Sequence, residues 1–189
     1  MTKRLHHYTY SDYVAVERES PTKHEFLDGE IYAMSGGTAE HAALAAEALY
    51  LLMAAVRDKP CRVYTSDLRI YVETVGLATF PDGSVICGSL EQHHASPAST
   101  AMNPIVLLEV TSDSSEEYDN STKLESYRTI PALRDYIIVS HRERRITVHS
   151  RVDDQEWITK EAVSGQHVSA SSIGADLVVD QIYRDSSIL

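Results

Sequence analysis

The sequence predicts an α/β fold of mixed α+β type, with a central mixed sheet flanked by helices and an N-terminal β-hairpin. An Asp-Gly pair between two short strand-like runs predicts the hairpin, and a long alanine- and leucine-rich segment predicts a packing helix. Several apolar runs of strand length follow that helix. The length of 189 residues, with 43% hydrophobic and 24% charged residues, favours one globular domain spanning residues 1–189.

The first element is predicted to be a short helix. Thr9 and Asp12 have the spacing of a capping box, and the helix should run to about Glu19, shortly before Pro21. The hairpin follows over residues 23–32, where Asp28-Gly29 supplies a turn that needs positive φ angles.

The long helix is predicted over residues 39–57. It begins after Thr38, a suitable N-cap, and it stops before Pro60. Its many alanines would let it approach a sheet closely, while its leucines supply apolar bulk. We therefore expect it to pack over the core.

The second half of the chain is predicted to alternate strands with one further helix. That helix spans residues 114–129 and is closed by Pro131. Residues 88–104 are rich in Ser, Ala, His and Pro and are predicted to be a loop, while residues 177–183 form a carboxy-terminal tail. The predicted strands are residues 62–73, 85–87, 105–110, 133–140, 145–151 and 156–163.

The charge and the cysteines limit the classes of function. Seventeen basic and 28 acidic residues give a net charge of −11, which argues against broad contact with a phosphate backbone unless bound cations reverse the local potential. Cys61 and Cys87 form no C-x-x-C pair. The polar residues 1–10 do not form a secretory signal, and no apolar run reaches the ~20 residues of a membrane span. We expect a soluble protein in the reducing cytoplasm, with no membrane partner.

Glu109 is the most informative candidate for a functional residue. It interrupts the apolar run at residues 105–110, which has the composition of a buried strand. A buried carboxylate needs a cation, a metal or strong hydrogen-bond donors, because an uncompensated buried ion is strongly destabilising. A strand-end glutamate that points to solvent or pairs with an arginine is an equally acceptable interpretation.

Asp82 is the second candidate. The tetrad Phe80-Pro81-Asp82-Gly83 is typical of a tight turn, and this is the simpler interpretation for Asp82 alone. The turn leads directly into the next strand, however. Asp82 would then lie beside the strand of Glu109, and adjacent strands are only ~4.8 Å apart, which lets two carboxylates share an ion.

Lys123 and His41 are each ambiguous by themselves. Lys123 lies four residues after Asp119, so a solvated Asp-Lys pair on a helix would explain it. His41 lies in the first turn of the long helix, where it could be an ordinary surface or core histidine or could contact an anion or metal.

The order of these motifs resembles the Uma-type restriction endonucleases of the PD-(D/E)XK nuclease superfamily, across about residues 8–185. The resemblance begins with the Asp-Gly hairpin, which carries Glu25. The motifs that follow are Gly36-Gly37-Thr38-Ala39-Glu40-His41, Tyr64-Thr65-Ser66-Asp67-Leu68-Arg69, Pro81-Asp82, Leu108-Glu109-Val110, Tyr118-Asp119, Lys123, Tyr127 and Ile130-Pro131-Ala132-Leu133-Arg134-Asp135-Tyr136.

The resemblance implies a restriction-endonuclease-like αβββαβ core in which Asp82 and Glu109 bind Mg²⁺, or Mn²⁺, and a lysine orients or activates water. In this superfamily the lysine usually stands two places after the glutamate, where this chain has Thr111. Lys123 in the next helix is the implied substitute. Glu25 and His41 match accessory positions, and Asp67 matches a recurring position without a catalytic role.

The function implied is that of a Mg²⁺-dependent endonuclease that hydrolyses phosphodiester bonds of DNA, with Asp82, Glu109 and Lys123 as catalytic residues. A homodimer is compatible with cutting two strands. Two alternatives remain open because fold alone does not decide function. One is a catalytically inactive interaction module that retains the nuclease fold, and the other is a metal hydrolase of small phosphorylated substrates.

Overall fold

The structure, a computed structural model, describes residues 7–95, 100–154 and 156–188. The helices are α1 (Tyr10–Glu19), α2 (Ala39–Val56), α3 (Glu116–Asp119), α4 (Thr122–Arg128) and α5 (Val179–Ile182), with a 3-10 turn at Glu73–Val75. The strands are β1 (His24–Leu27), β2 (Glu30–Ala33), β3 (Cys61–Thr65), β4 (Arg69–Val72), β5 (Leu77–Thr79), β6 (Gly83–Cys87), β7 (Thr100–Ala101), β8 (Val106–Val110), β9 (Asp135–Val139), β10 (Arg145–Arg151), β11 (Trp157–Val163), β12 (His167–Ala170) and β13 (Ala175–Val178).

The strands form two mixed sheets and a small hairpin. The six-stranded sheet has the order β11-β10-β9-β8-β6-β3, with β8 and β9 parallel. The five-stranded sheet has the order β2-β1-β5-β4-β7, and β12 pairs with β13. The expected αβββαβ order is present along the chain in α2, β3, β6, β8, α4 and β9. The strands β4, β5 and β7 lie in the second sheet. The predicted fold class, mixed sheets flanked by helices, is confirmed.

The local signals at the N-terminal end predicted the structure well. The hairpin of β1 and β2 turns at Asp28 (φ 44°) and Gly29 (φ 85°), as the Asp-Gly pair requires. Thr9 and Asp12 form the capping box of α1. At the start of α2, the Thr38 hydroxyl accepts a hydrogen bond from the His41 N–H at 3.1 Å. These interactions join neighbouring residues, so short sequence patterns are enough to predict them.

Two segments that were each predicted to form one element form two elements in the structure, so these predictions were wrong. Residues 62–73 form β3 and β4, which belong to different sheets, because the chain turns between Thr65 and Arg69. The predicted helix at residues 114–129 is divided into α3 and α4. At the break, the side chains of Asn120 and Ser121 donate hydrogen bonds to the carbonyls of Glu116 and Glu117, in competition with the helical backbone.

Three short strands were not predicted from the sequence. They are β5, β7 and β12, each of two to four residues. The predicted loop at residues 88–104 contains β7, and its residues 96–99 lie outside the described part of the chain. The predicted tail at residues 177–183 contains the end of β13 and α5. β5 pairs with β1 and β7 pairs with β4, both distant in the chain, so composition does not reveal them. β12 pairs with the neighbouring strand β13.

The core has three layers of side chains. One layer lies between the six-stranded sheet and α2 with the β12-β13 hairpin, and it includes Leu44, Leu52 and Leu108. A second lies between the two sheets, where α4 contributes Leu124 and Tyr127. In the third layer, α1 covers the other face of the five-stranded sheet through an aromatic cluster. Both faces of β8 are therefore buried.

Helix α2 packs on the sheet through one face, as predicted. Leu44, Ala48, Leu52 and Val56 are buried at helical spacing. By length and composition alone, α2 would also satisfy the criteria for a membrane span, a test that the core helices of soluble proteins pass as well. Of this span, 22% is buried within the protein.

Cys61 and Cys87 lie opposite each other at one end of the β3-β6 pair and form a disulfide, with their Cα atoms 3.9 Å apart. The sequence showed only that these cysteines form no metal-binding motif. Antiparallel pairing of β3 and β6 brings together these two cysteines, which are 26 residues apart in the chain. The disulfide joins the strand that follows α2 to the strand that follows Asp82.

Replacing a buried residue of α2 should destabilise the protein much more than replacing its exposed neighbour. We expect Leu52→Ala to lower the free energy of unfolding by about 2–5 kcal/mol, because it leaves a cavity against the sheet. Met53→Ala, on the solvent-exposed side of the same turn, should change it by less than about 0.5 kcal/mol. Urea denaturation measures both values, and equal losses would contradict the packing of α2 described above.

Candidate active site

A cleft of about 1370 Å³ opens beside the carboxyl end of β8. The β1-β2 hairpin and the segment after it form one wall, and the segment after β8 with α3 and the start of α4 forms another. The first turns of α2 complete the cleft. The acidic candidates from the sequence, together with Lys123 and His41, all line this cavity.

Asp82 lies immediately before β6, at the edge of the cleft. Its Oδ2 atom accepts a hydrogen bond from the backbone N–H of Val110 at 2.8 Å and lies 3.2 Å from Nε2 of His41. The hydrogen bond to Asp82 raises the pKa of His41. These contacts to a strand backbone and to the first turn of a long helix hold the Asp82 carboxylate in a defined position.

Glu109 lies on β8 beside Asp82. The register pairs Gly83 with Leu108, so one step further along the ladder brings Asp82 opposite Glu109. The Oε1 atom of Glu109 accepts hydrogen bonds from the Tyr127 hydroxyl at 2.8 Å and from Nζ of Lys123 at 2.9 Å. Burial raises the pKa of Glu109, and the ammonium of Lys123 opposes that rise. The glutamate therefore points into the protein and not into solvent.

Lys123 projects from the first turn of α4 into a group of carboxylates. Its Nζ atom lies 2.9 Å from Glu109, 3.2 Å from Asp119 and 4.0 Å from Glu25, and its side chain is only 6% exposed. Burial opposes the charge, but the three carboxylates outweigh it and raise the pKa of Lys123 above its ordinary value. Lys123 is therefore held as an ammonium ion.

Glu25 reaches the same group from β1, in the other sheet. One carboxylate oxygen accepts a hydrogen bond from Thr79 at 2.7 Å, and the other accepts one from the Tyr118 hydroxyl. Tyr118 follows the Glu109 strand in the chain and also places its ring 5.6 Å from the Lys123 ammonium. Glu25 thus joins the five-stranded sheet to the helical segment that carries Lys123.

The structure brings together the five residues singled out in the sequence, namely Asp82, Glu109, Lys123, Glu25 and His41. Neither Thr111 nor Asp67 joins this group. Thr111 instead makes a hydrogen bond of 2.7 Å with Nδ1 of His141. The exposed Asp67 forms an ion pair with Lys23.

Two further residues belong to this group, and for one of them, Asp119, the sequence suggested only a solvated pair with Lys123. Asp119 is buried and contacts Lys123, and Tyr127 is fully buried and donates to Glu109. Residues 119, 123 and 127 are spaced by four, which places side chains on one face of a helix. That spacing is the signal that could have identified them, although it does not reveal the break between α3 and α4.

Within the described residues, no three His, Cys, Asp or Glu side chains converge in the geometry of a complete metal site. Asp82 and Glu109 each use one carboxylate oxygen in the contacts above. Their other oxygens accept no hydrogen bond from the described part of the chain. The pair can therefore offer two oxygen ligands, and water or a substrate would have to supply the rest.

Comparison with known proteins gives a consistent family relationship. The family described as "Uma2: Putative restriction endonuclease" matches residues 10–179. "Uncharacterized protein slr1290" of Synechocystis sp. is 31% identical over 173 residues, covering 92% of this chain and 90% of that protein. "Uncharacterized protein sll1609" of the same organism is 29% identical over 153 residues, covering 81% and 86%.

A solved structure shares the fold. It is described as a "putative nuclease belonging to DUF820" from Anabaena variabilis, and it superposes with a TM-score of 0.73 at 17% sequence identity. The alignment covers 92% of this chain and 97% of that chain. At this level of identity the likeness concerns the fold alone.

Removing the Lys123 ammonium should destabilise the protein strongly. In Lys123→Met, the carboxylates of Glu25, Glu109 and Asp119 lose their shared cation, and we expect the free energy of unfolding to fall by about 3–5 kcal/mol. Lys160→Met, on the exposed face of β11, is the matched control and should change it by less than about 0.5 kcal/mol. Chemical denaturation at neutral pH measures the difference, and equal stability of the two variants would contradict the charge balance described here.

Proposed function

The chain belongs to the Uma2 restriction endonuclease family, and from this premise we propose that it hydrolyses phosphodiester bonds of DNA with Mg²⁺ or Mn²⁺. Asp82, Glu109 and Lys123 are the proposed catalytic residues. Glu25 and His41 are proposed to position them. Family membership supports a nuclease, and the metal, the substrate and the roles of these residues are our proposal.

One observation carries this proposal: two carboxylates on neighbouring strands and a buried ammonium group meet at the same cleft. Asp82 and Glu109 occupy opposite positions across the β6-β8 pair, and Lys123 lies 2.9 Å from Glu109. Such a concentration of buried charge is costly for the fold. A site that handles a phosphoryl group explains why the charges are kept together.

The residues present fit a hard divalent cation. Asp82 and Glu109 would hold it through the carboxylate oxygens that take no hydrogen bond within the described chain, and such oxygens are the ligands that Mg²⁺ prefers. When bound, the cation would lower the pKa of a coordinated water and offset charge on the phosphoryl oxygens. It would also lower the pKa of Glu109, because a nearby positive charge favours the ionised form.

The protein's own groups would hold the two carboxylates in position and supply a fixed positive charge. The Val110 N–H and His41 hold Asp82, while Tyr127 and Lys123 hold Glu109. The three carboxylates raise the pKa of Lys123, so it acts as a cation and not as a base. Its ammonium would orient the attacking water and stabilise negative charge that develops on the phosphoryl group.

Replacing either carboxylate by its amide should abolish DNA cleavage. Asp82→Asn and Glu109→Gln preserve side-chain shape but remove the charges, so we expect at least about a 100-fold loss of rate with Mg²⁺ or Mn²⁺. Supercoiled plasmid and single-stranded DNA are the substrates, with chelator added as a metal-free control. Glu117→Gln, at an exposed carboxylate on α3, should retain the wild-type rate.

Thermal melting in parallel shows whether each variant is folded. Residual cleavage that is equal in the wild type and both amide variants would indicate a contaminating nuclease and would contradict the proposal. The absence of cleavage by a folded wild-type protein would favour the inactive interaction module. Hydrolysis of a small phosphodiester, but not of DNA, would favour the alternative metal hydrolase.

A further inference from the structure

Tyr32 exposes its ring at the edge of the cleft. All eleven tyrosines lie in the described part of the chain, and only Tyr32 and Tyr50 are exposed. Tyr32, on β2, is 49% exposed and lines the cleft. Tyr50, on α2, is 60% exposed and does not line it. Among the tyrosines, Tyr32 alone is both exposed and part of the cleft lining.

The strand register places this ring beside the charged group. Tyr32 pairs with Glu25 across the hairpin, so the two side chains lie on the same face of the sheet. Glu25 lies 4.0 Å from the ammonium of Lys123, which in turn contacts Glu109. The ring is therefore one side chain away from the proposed catalytic residues.

The ring also has a defined orientation and apolar surroundings. Its hydroxyl donates a hydrogen bond to Glu30, two residues earlier on the same face of β2. Met34, two residues later, lines the cleft as well. Tyr32 and Met34 therefore place an aromatic ring and an apolar side chain on the same wall of the cleft as the charged group.

The charges of the cleft are poorly suited to a long duplex. Duplex binding depends on lysine and arginine side chains that neutralise many phosphates. Two lysines line the cleft. Lys123 is buried among carboxylates, and Lys23 forms an ion pair with Asp67. The carboxylates that line the same cleft are Glu25, Glu40, Asp82, Glu109, Asp113 and Asp119. Stacking of a base on an aromatic ring needs no such cations.

We propose that Tyr32 stacks on an unpaired nucleobase and that the cleft takes single-stranded DNA in preference to an intact duplex. In a duplex both faces of a base are covered by its neighbours, whereas an unpaired base can leave the stack and lie on the ring. The inference rests on the proposed function, because it names the substrate class of the same site.

Binding of a labelled short oligonucleotide, followed by fluorescence anisotropy with Ca²⁺ in place of Mg²⁺, tests this inference separately from cleavage. The same sequence is offered as a single strand and as a duplex. We expect the wild type to prefer the single strand, and Tyr32→Ala to weaken that binding by about 5- to 150-fold. Tyr32→Phe should stay within about threefold of wild type because the ring is kept, and Tyr50→Ala, the matched exposed tyrosine, should bind as the wild type does.

Salt dependence gives a second readout. If few phosphates are neutralised, the logarithm of the binding constant should fall with the logarithm of salt concentration with a slope of only about −1 to −2. Equal affinity of Tyr32→Ala and wild type, tighter binding of the duplex, or no binding of either DNA would overturn the inference.

Cleavage with Mg²⁺ or Mn²⁺ by the same variants separates the two proposals. A wild-type protein that cuts plasmid duplex and single strand equally, with no effect of Tyr32→Ala, would overturn this inference but leave the proposed function in place. Single-strand binding that depends on Tyr32, without any cleavage, would support the inference and contradict the nuclease proposal.

Discussion

The ammonium group of Lys123 compensates three buried carboxylates that come from separate parts of the fold. Glu25 belongs to the five-stranded sheet, Glu109 to the six-stranded sheet, and Asp119 to α3. Each carboxylate alone would be strongly destabilising in this environment. All three carboxylates lie within 4.0 Å of this one ammonium group. The Lys123 side chain therefore links the two sheets and the helical segment to one another.

Hydroxyl groups complete this arrangement. Thr79 and Tyr118 donate to Glu25, and Tyr127 donates to Glu109. A carboxylate can accept several hydrogen bonds, and each bond offsets part of the cost of burial. The charged group is therefore surrounded by donors from the five-stranded sheet and from α3 and α4. A network of this kind holds its members in one geometry, which suits the positioning of a reacting group.

Asp82 is fixed by a different means. Its carboxylate is held by the backbone of Val110 and by His41 at the start of α2. Val110 follows Glu109 directly, so the same few residues of β8 position both acidic groups. The separation of the two carboxylates is thus controlled by strand pairing, which is more rigid than a loop. One oxygen of each carboxylate accepts no hydrogen bond from the described part of the chain, and both residues line the cleft.

The positions of the acidic side chains bear on the conflict between the negative net charge and the proposed DNA substrate. A net charge of −11 is unfavourable for a protein that contacts a long phosphate backbone. Much of the acidity of the cleft is concentrated around Lys123 and beside His41, where a divalent cation would reverse the local potential. Outside that centre the wall of the cleft includes Tyr32 and Met34, whose side chains carry no charge.

By itself, the sequence determined the features that depend on neighbouring residues. The Asp28-Gly29 turn, the caps at Thr9 and Thr38, and the apolar run around Glu109 are all local patterns, because turn geometry, capping and burial periodicity act over a few residues. The order of the motifs also indicated the fold class and the residues of the candidate site.

The tertiary structure alone decided which of these residues meet. The break at Asn120 and Ser121 divides the predicted helix, and the packing of α4 between the sheets places Asp119 and Tyr127 around Lys123. Strand pairing brought Cys61 opposite Cys87, 26 residues away in the chain. These outcomes depend on register and on packing between segments far apart in the chain, and a short sequence pattern does not contain either.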